Sequence, residues 1–305
     1  MTTKTILITG GNSGLGYEAA KQIALAQPTD TIVIASRNQT KAEQAKQQLI
    51  SETNNPNIQC LQLDLGSLAN IRQFVAAFKS ADLPPLYALI CNAGLNPTTL
   101  SYTADGYETT FGVNYLGHFL LTNLLLGSIM DTGKIVFVSS DTHNPPKIFP
   151  FPAPTFTDAF ELAHPSADSN ALLRYPTSKL CDLMLAYTLS EKIEQQLEKH
   201  VTVNAFNPGL MTQTNLNGDS GNRFMKAAMN GFSYLLGRHG SAQSSGKALA
   251  DLITLPKFAT TNGRYIDRGK DTKSSPASYD VAAQAKLWQQ SLDLTHLNAS
   301  ETSLE

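Results

Sequence analysis

Cysteine is scarce in this chain, three residues in 305, and no two of the three stand at metal-ligand spacing. Cys60 and Cys91 fall in apolar, strand-like runs and Cys181 in a helical one. No disulfide framework or metal site is expected, and buried reduced thiols fit a cytoplasmic compartment. Charge is also thin, at 16% of residues with a net of −2, which offers no general field for nucleic acid or anionic membrane. Apolar runs long enough to span a bilayer are missing, so no transmembrane segment is expected. No charged-then-apolar signal opens the chain, because Lys4–Thr9 reads as a strand. Repeats, low-complexity tracts and domain linkers are absent too. These absences leave a 42% hydrophobic chain with ample length for a core, read as one domain over residues 1–305.

What is present is an alternation. The β-branched run Thr5-Ile6-Leu7-Ile8-Thr9 enters Gly10-Gly11-Asn12-Ser13-Gly14-Leu15-Gly16, and an amphipathic stretch continues to Ala26. Strand, glycine loop and helix together form the setting in which glycines let a backbone approach a pyrophosphate. Alone, glycines at this G-x-x-x-G-x-G spacing are an ordinary turn. The next strand, Thr31–Ser36, ends in Ser36-Arg37-Asn38, with Lys41 following. Where many dinucleotide folds place an acidic residue for the ribose 2′-hydroxyl, this position is basic, which suits a 2′-phosphate. A solvated arginine at a helix start is the alternative. A helix over Ala42–Glu52, a strand Ile58–Leu63 followed by Asp64-Leu65, and a helix Leu68–Ser80 come next. The strand Leu86–Cys91 closes in Asn92-Ala93-Gly94. Phe111–Met130 reads as one long helix with Asn114 on its early turns, and Gly133–Ser140 as the next strand. Strands that repeatedly end in small or polar residues, with helices between, predict a doubly wound, mostly parallel α/β sheet.

The alternation breaks at Asp141–Leu173, a stretch with six prolines and Phe149, Phe151, Phe156 and Phe160. Aromatics at that density predict an ordered insertion that buries them beside the site. Tyr175-Pro176-Thr177-Ser178-Lys179 opens a helix running to about Lys199. Its Tyr and Lys, four apart, share one face. Pro176 suits a first helical turn, so Tyr175 is expected near the positive helix end. With Lys179 beside it, the phenol pKa should fall from about 10 toward neutral. By itself such a pair is also compatible with a half-buried ring and a solvated lysine. Val201–Phe206 is the next strand, closed by Asn207-Pro208-Gly209. An apolar stretch, Phe224–Leu236, follows within residues 211–241. A helix Ala242–Leu255, a strand Gly263–Ile266 and a C-terminal extension from about 270 complete the chain, the last with a helix over Val281–Leu292 around the single Trp288.

Taken jointly, these motifs resemble the short-chain dehydrogenase/reductase family across nearly the whole chain. Thr9–Gly16 resembles its cofactor loop, Asp64-Leu65 the adenine contact, Asn92-Ala93-Gly94 the N-A-G motif, and Pro208-Gly209 the turn beside the nicotinamide. Asn114, Ser140, Tyr175 and Lys179 match the catalytic positions. Finer detail is similar to the light-dependent protochlorophyllide reductases and their retinol-dehydrogenase-like relatives. Ser36–Glu43, Asn114–Phe119 and the enlarged insertion carry that likeness. Two departures stand out. The protochlorophyllide reductases place a functional Cys directly after the P-G pair, where this chain has Leu210. The carboxamide-binding threonine falls on Gln213, leaving Thr214 (or Thr212) to serve.

The resemblance implies a Rossmann-type domain that binds NADP(H) and transfers hydride to or from a carbonyl or alcohol. Tyr175 would handle the proton, Lys179 would tune it and hold the ribose, and Ser140 would bind the substrate oxygen. Asn114 would link Lys179 to water through a distortion of its helix. Gly10, Asn12, Ser13, Gly14, Leu15, Gly16, Arg37 and Lys41 would cradle the cofactor with the motifs above. The substrate expected is bulky and apolar, under a helical lid at 211–241 facing the insertion. A dimer contact or a membrane-surface helix is the alternative use of that apolar segment. Other readings are light-driven C=C reduction of protochlorophyllide, against which Leu210 counts, and a non-catalytic NADP(H)-sensing protein on the same fold.

Overall fold

The computed structural model describes residues 3–145, 153–166, 169–209 and 241–304. β1 (Thr5–Thr9), β2 (Thr31–Ser36), β3 (Ile58–Gln62), β4 (Leu86–Cys91), β5 (Ile129–Val138), β6 (Thr202–Asn207), β7 (Arg264–Asp267) and β8 (Lys270–Thr272) form one sheet. Their order is β3-β2-β1-β4-β5-β6-β7-β8. All pairings are parallel except β7 with β8, a short antiparallel strand the sequence pattern did not announce. The chain winds outward from β1 in both directions, so the crevice between the carboxyl ends of β1 and β4 is the switch point where ligands bind in such sheets.

Strand alternation divides the interior in two. Ile6, Ile8, Ile32, Ile34, Ala88, Ile90, Val136 and Val138 face one core. That core is closed by α1 (Gly14–Ala26), α2 (Gln39–Thr53) and α8 (Ala242–Thr254). Leu7, Val33, Leu89, Cys91, Ile135 and Phe137 face the other. It is closed by α3 (Leu68–Ser80), α5 (Gly117–Leu125), α7 (Ala171–Gln196) and α9 (Val281–Thr295). Period-two strands that are apolar on both faces are what a sheet covered on both sides requires.

Three expectations are corrected. The single helix expected over Phe111–Met130 is instead α4 (Thr109–Phe111), a π-helical turn Gly112–Leu116, α5 and a 3₁₀ turn Leu126–Ser128, and β5 already begins at Ile129. The polar Asp131-Thr132-Gly133 lies within β5 as an irregularity, with Thr132 at φ 63° and Asp131 accepting from the His200 backbone N–H at 2.7 Å. Second, α7 begins a turn before Tyr175, at Ala171, with Asn170 capping the Leu172 N–H at 3.0 Å. Pro176 is therefore inside the helix rather than in its first turn, and Tyr175 is a full turn from the positive end.

Third, the described part of the insertion does not bury all of its aromatics. Its helix α6 (Ala159–Ala163) docks on α9: the Ala159 N–H donates to Gln290 Oε1 at 2.8 Å, and Asp158 pairs with Lys286 at 3.0 Å. Phe156 packs on the core, but Phe160 is 42% exposed. Phe149 and Phe151 lie outside the described residues, as do residues 211–240 of the expected lid, Leu210 and Thr214.

Candidate active site

The glycine loop is built for close approach. Gly10 and Gly14 have φ of 66° and 56°, in the left-handed region that glycine adopts without strain. A Cβ on Gly16 would stand 2.5 Å from both Asn92 Nδ2 and the Gly10 carbonyl, so the α1 backbone can approach β4 only without one. Ser13, at the cap position before α1, makes no side-chain cap hydrogen bond, whereas Asn38, Ser67, Asn170, Ser241 and Asp280 all cap their helices. The first N–H groups of α1 thus remain available to an anion at the positive end of the helix. A pyrophosphate fits there. Arg37 and Lys41 are exposed where β2 passes into α2, at the same sheet edge, with Asn38 accepting from the Lys41 N–H at 2.9 Å.

The neighbouring strand ends are tied to this loop. Asn92 Nδ2 donates to the Thr9 carbonyl at 2.8 Å, while the Asn92 and Ala93 N–H groups donate to Thr9 Oγ1 at 2.9 and 3.0 Å. Asn92-Ala93-Gly94 therefore acts as a clip between β4 and the loop, and Gly94 faces Asn114 and Lys179. Asp64 is fixed by its own turn, with Oδ1 accepting from the Gly66 N–H at 2.9 Å, and Leu65 is buried under Gly117. On the far side, Asn207 accepts from the Asp141 and Gly209 N–H groups at 3.2 and 3.1 Å. Ser245 donates to the Pro208 carbonyl at 2.6 Å, and Gly209 has φ 79°. The Pro208-Gly209 turn is held by both its sheet and α8.

Ser140, Tyr175, Lys179 and Asn114 come together at the carboxyl ends of β4 and β5. Ser140 hydrogen-bonds the Tyr175 phenol. Lys179 Nζ lies 5.7 Å from the Tyr175 ring centre and donates to the Val138 carbonyl at 2.9 Å. The expected fall of the Tyr175 pKa is not found: burial pushes the half-buried phenol above its ordinary value, outweighing the Lys179 charge and the Ser140 hydrogen bond that pull it down. Asn114 sits in the π-helical turn, the helix distortion expected of it. Its Oδ1 accepts from the Leu95 N–H at 2.9 Å and its Nδ2 donates to the Leu95 carbonyl and to Ser178 Oγ at 3.0 and 3.1 Å. Ser178 in turn donates to the Tyr175 carbonyl at 2.8 Å, which binds the π turn to α7.

Sequence reading missed several supports. His118, one turn after Asn114, is buried with Nδ1 2.8 Å from the Asn114 carbonyl and Nε2 2.9 Å from Thr9 Oγ1. Asp182, one turn after Lys179, pairs with its Nζ at 2.9 Å. The i,i+3 and i,i+4 spacings were legible; their burial was not. From behind, α9 braces the π turn through Tyr115–Ser291 at 2.9 Å and an edge-on Phe119–Trp288 contact at 5.1 Å. Cys91 and Cys181 are buried thiols as expected, but Cys60 is only half-buried, donating to Glu43 at 3.0 Å.

A cavity of about 530 Å³ lies beside α7, lined among others by Glu108, Phe111, Leu162, Arg174, Thr177 and Ser178. None of Ser140, Tyr175 and Lys179 lines it. Among the described residues no helix is long and apolar enough to cross a membrane, and no group of three His, Cys, Asp or Glu could hold a metal ion.

This geometry has counterparts among known proteins. Residues 4–149 match the family model described as short chain dehydrogenase. A polyprenol dehydrogenase of Danio rerio is 35% identical over 304 residues, covering 96% of this chain and 87% of that protein. The chloroplastic short-chain dehydrogenase TIC 32 A of Brassica napus is 32% identical over 300 residues, with coverage of 95% and 88%. A crystal structure of a Mycobacterium paratuberculosis protein superposes with a TM-score of 0.66 at 26% identity, covering 97% and 94%. With relatives above 30% identity over 95% or more of its length, and a serine, a tyrosine and a lysine gathered at the carboxyl ends of the central strands, this chain belongs to the short-chain dehydrogenase family.

Proposed function

We propose that the protein is an NADP(H)-dependent oxidoreductase acting on a bulky, largely apolar carbonyl or alcohol. The observation that carries this is the placement of the Tyr175 phenol between the Ser140 hydroxyl and the Lys179 ammonium, at the mouth of the glycine-lined crevice. The hydride chemistry is that of the nicotinamide cofactor. The chain's own residues do the rest. The glycine loop and the uncapped start of α1 hold the pyrophosphate, Arg37 and Lys41 the 2′-phosphate, and Asp64-Leu65 the adenine. Pro208-Gly209 and Thr214 border the nicotinamide, and Lys179 holds the ribose hydroxyls.

For reduction, Ser140 donates a hydrogen bond to the substrate oxygen and Tyr175 gives its proton as that oxygen gains charge. Both interactions are stronger at the transition state than in the ground state. A phenol held above its usual pKa is a proton donor at rest, which favours the reducing direction at neutral pH. Lys179, with Asn114 behind it, passes a proton back to Tyr175 from solvent.

An apolar substrate is supported by the polyprenol relative's name and by the apolar 224–236 stretch, assigned as a lid. Three free thiols suit a reducing, cytoplasmic setting. The experiment is a substrate comparison following NADPH absorbance, pairing small polar ketones with long-chain and isoprenoid aldehydes, with Tyr175→Phe as control. Turnover confined to small polar ketones would defeat the substrate assignment. If apolar substrates are turned over and Phe232→Ala leaves the apparent affinity for every one of them unchanged, while changing oligomeric state or membrane binding, the 224–236 stretch is an interface and not a lid.

A further inference from the structure

Lys179 and Asp182 form an ion pair sealed inside the protein, 4% and 2% exposed and 2.9 Å apart. Asp182 Oδ2 faces the ammonium, while Asp182 Oδ1 has no hydrogen-bond partner. A buried carboxylate ordinarily satisfies both oxygens with N–H or O–H donors. Here one lone-pair set is left empty and the other is given to Lys179 alone, so the packing around Asp182 accounts for its charge only through that lysine.

The surroundings sharpen the point. Facing the pair are Tyr175 and Cys181 from α7, Cys91 from β4, Tyr115 from the π turn, and His118 at the start of α5. Burial pushes the Cys91 thiol up to about 12, holds Cys181 and Tyr115 well above their ordinary values, and drives His118 down to about 3. Each is therefore neutral at physiological pH. Tyr175 is neutral at rest as well, and the Asp141 charge helps keep it so. Among these facing groups, Asp182 is the one that compensates the lysine. Burial alone would strip a proton from a lysine so enclosed, yet Lys179 is held above its usual value, with burial pulling down and the Asp182 carboxylate the largest influence pulling up.

We propose that Asp182 is a positioning residue that keeps Lys179 an ammonium and aims it. An ammonium has three N–H donors. One is given to the Val138 carbonyl and one to Asp182, both at 2.9 Å, leaving a single donor for the site. Asp182 thereby sets both the charge and the direction of the group that faces Tyr175. The role assigned to Lys179 rests on the functional reading above, but the ion pair can be observed without turnover.

The test is carbon-13 NMR of the lysine Cε resonances in the cofactor-free protein, with the Lys179 signal assigned by its loss in Lys179→Met. In the native chain this signal should keep its ammonium shift through pH 10. In Asp182→Asn, which retains an acceptor oxygen but no charge, its titration should move down by at least one pH unit, about tenfold in proton affinity. Asp182→Glu should stay charged like the native chain, while NADPH binding, read by fluorescence, weakens because the ammonium is re-aimed.

If Asp182→Asn does not fold, the native chain still decides. Asp182 is raised to about 6 by burial against the pull of Lys179, so the Lys179 Cε signal should respond to acidification through that pH. An unmoved titration in Asp182→Asn, or a Lys179 signal blind to the protonation of Asp182, overturns the proposal. Absence of turnover on every substrate would defeat the functional reading and leave this result standing.

Discussion

His118 Nε2 stands 2.9 Å from Thr9 Oγ1, joining the π-helical turn that carries Asn114 to the end of β1. The Asn114 carbonyl on the other ring nitrogen can only accept, so Nδ1 holds the proton and Nε2 accepts from the Thr9 hydroxyl. That leaves Thr9 Oγ1 free to accept from the Asn92 and Ala93 N–H groups. One neutral imidazole thus orders the contact between the end of β1, where the glycine loop begins, and the turn that carries Asn114.

Because the fold needs His118 neutral, acid should loosen it. Its folded pKa of about 3 lies below the ordinary 6.5, chiefly through burial. The unfolded chain therefore takes up the proton first, and this group's contribution to stability is lost progressively as pH falls from 6.5 toward 3. Asp182 works in the opposite sense: it is raised from 3.8 to about 6, so the native state binds the extra proton between those values and is relieved by mild acid. Melting temperatures measured from pH 7 to pH 4 should fall less steeply in His118→Gln than in the native chain. An identical slope would mean that His118 is not buried neutral. At pH 7, His118→Leu removes the buried acceptor of the Thr9 hydroxyl and the ring donor to the Asn114 carbonyl, at a cost of about 1–3 kcal/mol.

Gly16→Ala should damage the cofactor loop without touching the proton-handling groups. The added Cβ would fall 2.5 Å from Asn92 Nδ2 and from the Gly10 carbonyl, and backbone cannot yield as a side-chain tip can. Overpacking of this kind costs about 1–3 kcal/mol, and NADPH affinity should drop about tenfold or more. Native-like affinity measured by fluorescence titration would show that the loop does not seat a pyrophosphate.

Tyr175→Phe keeps the ring and removes the hydroxyl that Ser140 and Lys179 address. Carbonyl reduction should slow by about 10²–10⁴-fold, the range for a lost general acid, with NADPH binding nearly unchanged. Turnover that survives would place the proton donor elsewhere.

Arg37→Asp should exchange an exposed cation for an anion at the mouth of the cofactor site. A charge-assisted contact to the 2′-phosphate is lost and repulsion added, so NADPH should weaken by about 2–4 kcal/mol while NADH changes little. Equal NADH and NADPH affinities in the unaltered protein would refute the NADP(H) preference.

Residue identity and order along the chain determined the doubly wound sheet, the glycine loop and the Ser140–Tyr175–Lys179 cluster. Strand ends and turn chemistry are local, and glycine or proline at a strand end has few other uses. The start of α7 was misplaced for a local reason too: Pro176 usually marks a first turn, but Asn170 capped the helix earlier and tertiary packing tolerated the proline inside it. Tertiary structure alone decided the rest. The π turn at Asn114 exists because its helix is clamped at once by Ser178, Leu95 and α9, residues distant in sequence. The Tyr175 pKa rose rather than fell because burial, which spacing cannot report, outweighs a neighbouring charge. His118 and Asp182 were visible as letters one turn from Asn114 and Lys179, but only the packed interior turned one into a neutral bridge and the other into the counterion of a buried lysine.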